Sequence, residues 1–304
     1  MTLFPRWIPV PPRRPLILGV LALTVLTTSS STLASQICFT PIDVPGATET
    51  RAIGINKQDV IVGAYRDGDG VFHGFRRDSD GTITPIDIPG AVQTRARGIN
   101  ATGDIVGRYD DSNLASHGFR LSPGGKLTTI DVPGATDTIA SAISARGKIV
   151  GQYTDANGLD HGFLLEEGNF TALDAPEGAC GTRAFGIDKR AIVGSFSDCT
   201  TRHGFLFSLK SKQFTTIDFP DAVRTALHGT KRGRLVGDYT DVDGNTHGFL
   251  GDGTFRTLDF PDAVETHARG IARRAGDRTK QIVGWYVDAL DQTHGWRAVL
   301  HSGC

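Results

Sequence analysis

The sequence predicts an all-β chain: a six-bladed β-propeller with four antiparallel strands per blade. Three observations carry that prediction. An Asp-x-Pro-like phrase recurs at Asp43, Asp87, Asp131, Asp174, Asp218 and Asp259, in steps of 44, 44, 43, 44 and 41 residues. Two further phrases keep the same register. One is His-Gly-Phe at His73, His117, His161, His203 and His247, with His-Gly-Trp at His294. The other is aliphatic-Val-Gly, ending at Gly63, Gly107, Gly151, Gly194, Gly237 and Gly284. Each unit then divides into four short runs separated by Gly, Asn and Asp turns. Such a unit of ~40–50 residues suits a propeller blade better than a β-solenoid, whose rungs are shorter. Composition agrees: 38 of 304 residues are glycine, well above the average of about 7% and suited to turns rather than long helices.

Taken in order, residues 1–34 read as a cleaved export signal. Arg6, Arg13 and Arg14 precede a largely apolar run from Leu16 to Leu26, and Thr32-Leu33-Ala34 offers a small-residue cleavage site. The alternative is a membrane anchor, but eleven residues fall short of the ~30 Å hydrocarbon core. Residues 35–304 then form a single domain. No second apolar span follows, so the cleaved protein is expected without a membrane span, either extracellular or periplasmic. The formal net charge is −1, with 39% apolar and 21% charged residues. These values exclude a disordered tail and a polybasic nucleic-acid binder.

The second unit illustrates the strands. Arg95–Ile99, Asp104–Tyr109, His117–Leu121 and Leu127–Val132 are β-branched or aromatic runs joined by hairpin-type turns. The Pro-Gly-Ala segment after the fourth strand leads to the next unit, which places the first strand of each unit innermost. Its small residues fit that crowding: Ala52/Gly54, Ala96/Gly98, Ala140/Ala142, Ala184/Gly186 and Ala268/Gly270. The chain opens with a fourth-type strand (Phe39–Val44) and closes with a third-type strand (His294–Leu300). The opening strand is therefore expected to complete the last blade, removing an exposed edge. Cys38 precedes the one and Cys304 follows the other, so a Cys38–Cys304 disulfide is expected where other blades have a turn. Cys180 and Cys199 lie on one rim of neighbouring strands and form the second expected pair.

The third and fourth strands of a unit are antiparallel, so each phrase histidine should face a phrase aspartate: His73–Asp87, His117–Asp131, His161–Asp174, His203–Asp218, His247–Asp259, and His294–Asp43 across the closure. A residue repeated in every unit does the same packing work each time, so these read as structural hydrogen bonds between partly buried groups. The alternative is that each aspartate caps its own Pro-Gly turn. Loops such as Asp67-Gly68-Asp69-Gly70, Asp155-Ala156-Asn157-Gly158 and Asp241-Val242-Asp243-Gly244 resemble fragments of calcium loops without the full ligand set. Hairpin chemistry explains them first. No cofactor or metal is expected, with calcium as the secondary reading.

Function is sought where the copies differ. The turns after the first strands are basic (Lys57, Arg146, Lys148, Lys189, Lys231, Arg232), whereas the loops before the third strands are acidic, so the disc should be electrically polarised. At the axial end of the first strands the equivalent residues read Arg51, Arg95, Ile139, Arg183, Ala226 and His267. Two residues on they read Ile53, Arg97, Ser141, Phe185, His228 and Arg269. The candidate ligand-binding set at the channel mouth is therefore Arg51, Arg95, Arg97, Arg183, His228, His267 and Arg269, where arginine forks suit an anionic sugar or acid. The alternative is that these arginines pair with nearby loop aspartates. No nucleophile elbow, P-loop or HExxH motif is present.

The phrases Ile55-Asn56 to Tyr65 and Ile99-Asn100 to Tyr109, each followed by His-Gly-Phe, resemble the extracellular HAF (His-Ala-Phe) repeat family of exported bacterial proteins, mostly of unknown function. The resemblance spans about residues 39–300. It departs in having Gly for Ala, Trp296 for Phe, and Gly229-Thr230 for the Ile-Asn pair. It implies export and a repeat fold and carries over no catalytic residue. The functional expectation is a non-catalytic binding module for an extracellular glycan or protein. The alternative is a uronate-type polysaccharide lyase using the channel-mouth cations, with His228 as base. A purely structural surface protein is the third class.

Overall fold

Alternating small, β-branched and turn-forming residues build nothing but strands among the described residues of the computed structural model, which are 36–176, 179–276 and 279–301. The opening strand, β1, is Gln36–Ile42. Four strands follow: β2 (Glu49–Ile55), β3 (Ile61–Arg66), β4 (Phe72–Arg77) and β5 (Ile83–Ile86). The second unit supplies β6 (Gln93–Ile99), β7 (Ile105–Asp110), β8 (Ser116–Leu121) and β9 (Leu127–Ile130). The third supplies β10 (Asp137–Ile143), β11 (Ile149–Thr154), β12 (Asp160–Glu166) and β13 (Asn169–Leu173). The fourth gives β14 (Thr182–Ile187), β15 (Ala191–Ser197), β16 (Arg202–Ser208) and β17 (Phe214–Thr216). Then come β18 (Arg224–Lys231), β19 (Arg234–Thr240), β20 (Thr246–Gly251) and β21 (Phe255–Thr257). The last three are β22 (Glu265–Arg273), β23 (Lys280–Val287) and β24 (Thr293–His301).

The molecule is a β-propeller of four-stranded antiparallel blades. Strands β6–β9, β10–β13, β14–β17 and β18–β21 are four separate sheets. An eight-stranded sheet contains β22–β23–β24 with β1 paired to β24, and β2 to β5, joined through one parallel pair, Glu49 with Thr293. β1 and β24 run antiparallel over seven residue pairs, from Gln36–His301 to Ile42–Gly295. The strand bounds differ slightly from the sequence reading. The fourth strand of the second unit ends at Ile130 rather than Val132, because Asp131 turns to His117 and the Val132 amide donates to Thr138 Oγ1 at 3.0 Å.

Two sets of glycines set the packing. Gly63 lies opposite Phe75, and a Cβ built on it would come within 2.7 Å of the Phe75 ring and closer still to the Arg51 carbonyl. The same pairing recurs to Gly284 and Trp296, so each aliphatic-Val-Gly phrase leaves room for the aromatic ring of the following His-Gly-aromatic phrase. Phe75, Phe119, Phe163, Phe205, Phe249 and Trp296 are all fully buried. The second set belongs to the innermost strands. A Cβ on Gly54 would approach the Arg97 carbonyl to 2.7 Å, and one on Gly270 would approach the Ile53 carbonyl to 2.7 Å. Each inner strand thus touches the next, and β22 returns to β2. The Cys180–Cys199 disulfide ties the entry of β14 to the loop after β15. The Cys38–Cys304 pairing falls on Cys304, outside the described residues, as does the segment read as an export signal.

Candidate functional site: the axial channel

The phrase histidines and aspartates meet pairwise. His73, His117, His161, His203, His247 and His294 place Nδ1 within 2.8–3.1 Å of Asp87, Asp131, Asp174, Asp218, Asp259 and Asp43. The aspartates are 37–54% exposed, so the pairs sit nearer the surface than a buried bond would. Each ring also turns Nε2 toward a loop aspartate (Asp67, Asp111, Asp155, Asp198, Asp241, Asp288) at 3.1–3.6 Å. Its face lies against Tyr65, Tyr109, Tyr153, Phe196, Tyr239 or Tyr286. Burial works against protonation of His73 and His117, but the flanking carboxylates outweigh it and raise both; in His203 the Asp218 hydrogen bond leads. The loop aspartates also close their own turns: Asp67 Oδ1 accepts from the Asp69 and Val71 amides at 3.0 and 2.8 Å.

The proline turns that link the units are capped by a residue the sequence reading passed over. Thr50, Thr94, Thr138, Thr182, Thr225 and Thr266 accept, at Oγ1, from the amides of Val44, Ile88, Val132, Ala175, Phe219 and Phe260 at 2.9–3.1 Å. All six threonines are buried. The signal was in the sequence, as the threonine closing each inter-unit link.

Within the channel the two candidate rows separate. The outer row is neutralised. Arg51 pairs with Glu49, Arg95 lies 3.9 Å from Asp110, Arg183 Nε donates to Asp160 at 2.7 Å, and His267 Nδ1 donates to Asp238 at 2.8 Å. The next row lines a cavity of about 120 Å³ with Ile53, Arg97, Ser141, Phe185, His228 and Arg269. His228 Nε2 donates to Asp238 at 2.8 Å, and Arg269 reaches its ring at 2.9 Å. Burial, then the Arg269 charge, lowers His228 to about 4, so its ring is neutral near pH 7. Burial opposes ionisation of Asp238, but the two histidines and Arg269 hold it well below the usual carboxylate range. Arg97 has no ion-pair partner among the described residues, and neither its Nε nor Ser141 Oγ has a hydrogen-bond partner. Burial, then the charges of Arg269, Arg51 and Arg183, lowers Arg97 to about 10.

Beyond this row the wall is formed by Ile55, Ile99, Ile143, Ile187, Thr230 and Ile271. A second cavity of about 360 Å³ then opens among the basic turns, with Lys57, Arg146, Lys189, Lys231 and Arg232 on its wall. Asp238 and Trp285 were missed by the sequence reading. They occupy the position after the glycine of the aliphatic-Val-Gly phrase, where the units read Ala64, Arg108, Gln152, Ser195, Asp238 and Trp285. Each lies opposite an outer-row residue, Ala226 to Asp238 and His267 to Trp285. Comparing copies at that position would have found them.

No family model and no curated protein matches the chain. Solved structures do share the fold. The chain is similar to AofleA from Arthrobotrys oligospora (12% identity, TM-score 0.57, 89% of each chain covered). It is similar to a putative TolB from Agrobacterium tumefaciens (14%, TM-score 0.56, 88% of this chain and 98% of that one). It is also similar to the Aleuria aurantia lectin, solved with Fucα1-6GlcNAc (12%, TM-score 0.51, 84% and 97%). At these identities the likeness concerns the fold.

Proposed function

We propose that the chain is an exported, six-bladed β-propeller of the HAF-repeat kind that acts outside the cytoplasm as a non-catalytic binding module for an acidic glycan or protein. Six blades follow if the eight-stranded sheet is two blades bridged by the Glu49–Thr293 pair, with β1 completing the last. Residues 1–34 are then the export signal, and the Cys180–Cys199 bond suits an oxidising compartment. A lectin among the fold neighbours supports a binding role. The observation that carries the ligand's sign is Arg97, a channel guanidinium that no carboxylate among the described residues neutralises.

The lyase alternative needs His228 as a base with an open lone pair. Its Nε2 faces Asp238 and Arg269 covers its other nitrogen, which favours binding over catalysis. A glycan array run beside ultraviolet product detection on uronate polymers tests the reading. Retention of acidic glycans without unsaturated products is expected. Product formation overturns it in favour of the lyase, and silence in both assays in favour of a structural protein.

A further inference from the structure

The geometry points to one small oxyanion (a carboxylate, phosphate or sulfate group) held in mid-channel between Arg97, Ser141 and Arg269. This deepens the binding reading by naming the group that the channel takes.

Charge is the first argument. Arg269 is near enough for its charge to disfavour that of Arg97, and the neutral His228 offers no compensation. Asp238 is the carboxylate of this stretch; its Oδ2 accepts from both His228 and His267 and lies 3.8 Å from Arg269, so Arg97 is the cation left without a counter-charge among the described residues. Asp110, whose charge also acts on Arg97, stands between Arg95 and Arg108 at 3.9 and 3.8 Å. The channel therefore carries surplus positive charge in a sheltered place, where an unneutralised cation is costly.

Unused hydrogen-bonding capacity is the second. Arg97 Nε, Arg269 Nε and Ser141 Oγ are shielded from water and lack partners. Arg269 is otherwise engaged, through its bond to His228. Arg97 and Ser141 stand at equivalent positions of adjacent units and line the same cavity. A guanidinium fork with a hydroxyl is a donor set that an oxyanion satisfies and a neutral sugar hydroxyl does not.

Size is the third. The cavity of about 120 Å³ has room for roughly four waters at about 30 Å³ each. Its far side is mostly isoleucine, with Thr230 and Lys231 as the polar groups there. An oxyanion fits, whereas a sugar chain does not, so a larger ligand would enter by its acidic group alone.

The test is isothermal titration of the full chain with sodium sulfate, phosphate, acetate and glucuronate against a sodium chloride background. One saturable site is expected for the inorganic anions. Acetate binding without glucuronate binding would assign the site to free small anions, and both binding would assign it to the acidic terminus of a larger ligand. Arg97→Met should weaken sulfate at least tenfold, while Lys57→Met, at the basic mouth, changes it less than twofold. Ser141→Asp, which supplies a resident carboxylate, should abolish binding and serves if Arg97→Met fails to fold. Non-saturable sulfate binding, or binding lost with Lys57→Met and kept in Arg97→Met and Ser141→Asp, overturns the site. These probes need no natural ligand. Failure here leaves the binding-module reading standing, and a chain that takes sulfate but no glycan or protein loses that reading while keeping the site.

Discussion

On the outer strands each unit places the same histidine between two aspartates and against an aromatic ring; on the axis the six units place five kinds of side chain. The contrast separates two kinds of work. His117 and its counterparts have both ring nitrogens directed at carboxylates in every unit, so they hold loops in place. Ile53, Arg97, Ser141, Phe185, His228 and Arg269 share one position but not one chemistry, and three of them, Arg97, Ser141 and Arg269, keep donors unused. Identical positions carry stability. Under the proposed function, divergent positions carry recognition.

The contrast can be broken at its strongest point first. Gly107→Ala drives a methyl into the Phe119 ring, to within 2.8 Å, and into the Arg95 carbonyl. Overpacking of that kind costs about 3 kcal/mol or more, a drop of roughly 6–12 °C in unfolding midpoint by calorimetry. Opening the Cys180–Cys199 loop with paired serines should cost about 3 kcal/mol in denaturant titration, from its 19-residue separation. Thr94→Val leaves the buried Ile88 amide without an acceptor and should cost about 2 kcal/mol by the same titration.

Acidity sharpens the comparison further. His73, His117, His203 and His247 are raised in the folded state, so their stabilisation is complete below the unfolded value near 6.5 and is lost as pH rises through the folded values. His228, lowered to about 4, acts oppositely: the folded state resists the proton that the unfolded chain accepts, so stability rises with pH between about 4 and 6.5. Denaturation midpoints measured across pH should decline above about 6.5. His117→Gln should flatten that decline, and His228→Gln should flatten the rise on the acid side. The smallest effect belongs to Arg97→Met. Removing an unpaired cation from among other cations should leave the unfolding midpoint unchanged or slightly higher, in contrast to every substitution in the repeated phrases.

The repeated half of the molecule was legible in the sequence because a repeat displays its constraints several times over. Glycine at 63, 107, 151, 194, 237 and 284 already marked a close approach. The histidine–aspartate pairs followed from antiparallel geometry alone. Strand ends were less legible, since Asp131 leaves β9 to reach His117 and Thr138 claims the Val132 amide, both choices made across the turn. The channel was legible in sign but not in pairing. Arg51, Arg95, Arg97 and Arg183 look alike as letters. Which of them is neutralised depends on Glu49, two residues before Arg51 on the same strand, and on Asp110 and Asp160 arriving from other strands. The Asp238 hub joining His228 and His267 spans β18, β19 and β22, and no single repeat contains it.

The most direct test of the central claim is a crystal of the full chain soaked in selenate and measured at the selenium edge. The account predicts one strong anomalous peak on the axis, within hydrogen-bonding reach of Arg97 and Arg269. An empty mid-channel, with peaks only at the mouth beside Lys57, Lys231 and Arg232, would contradict it.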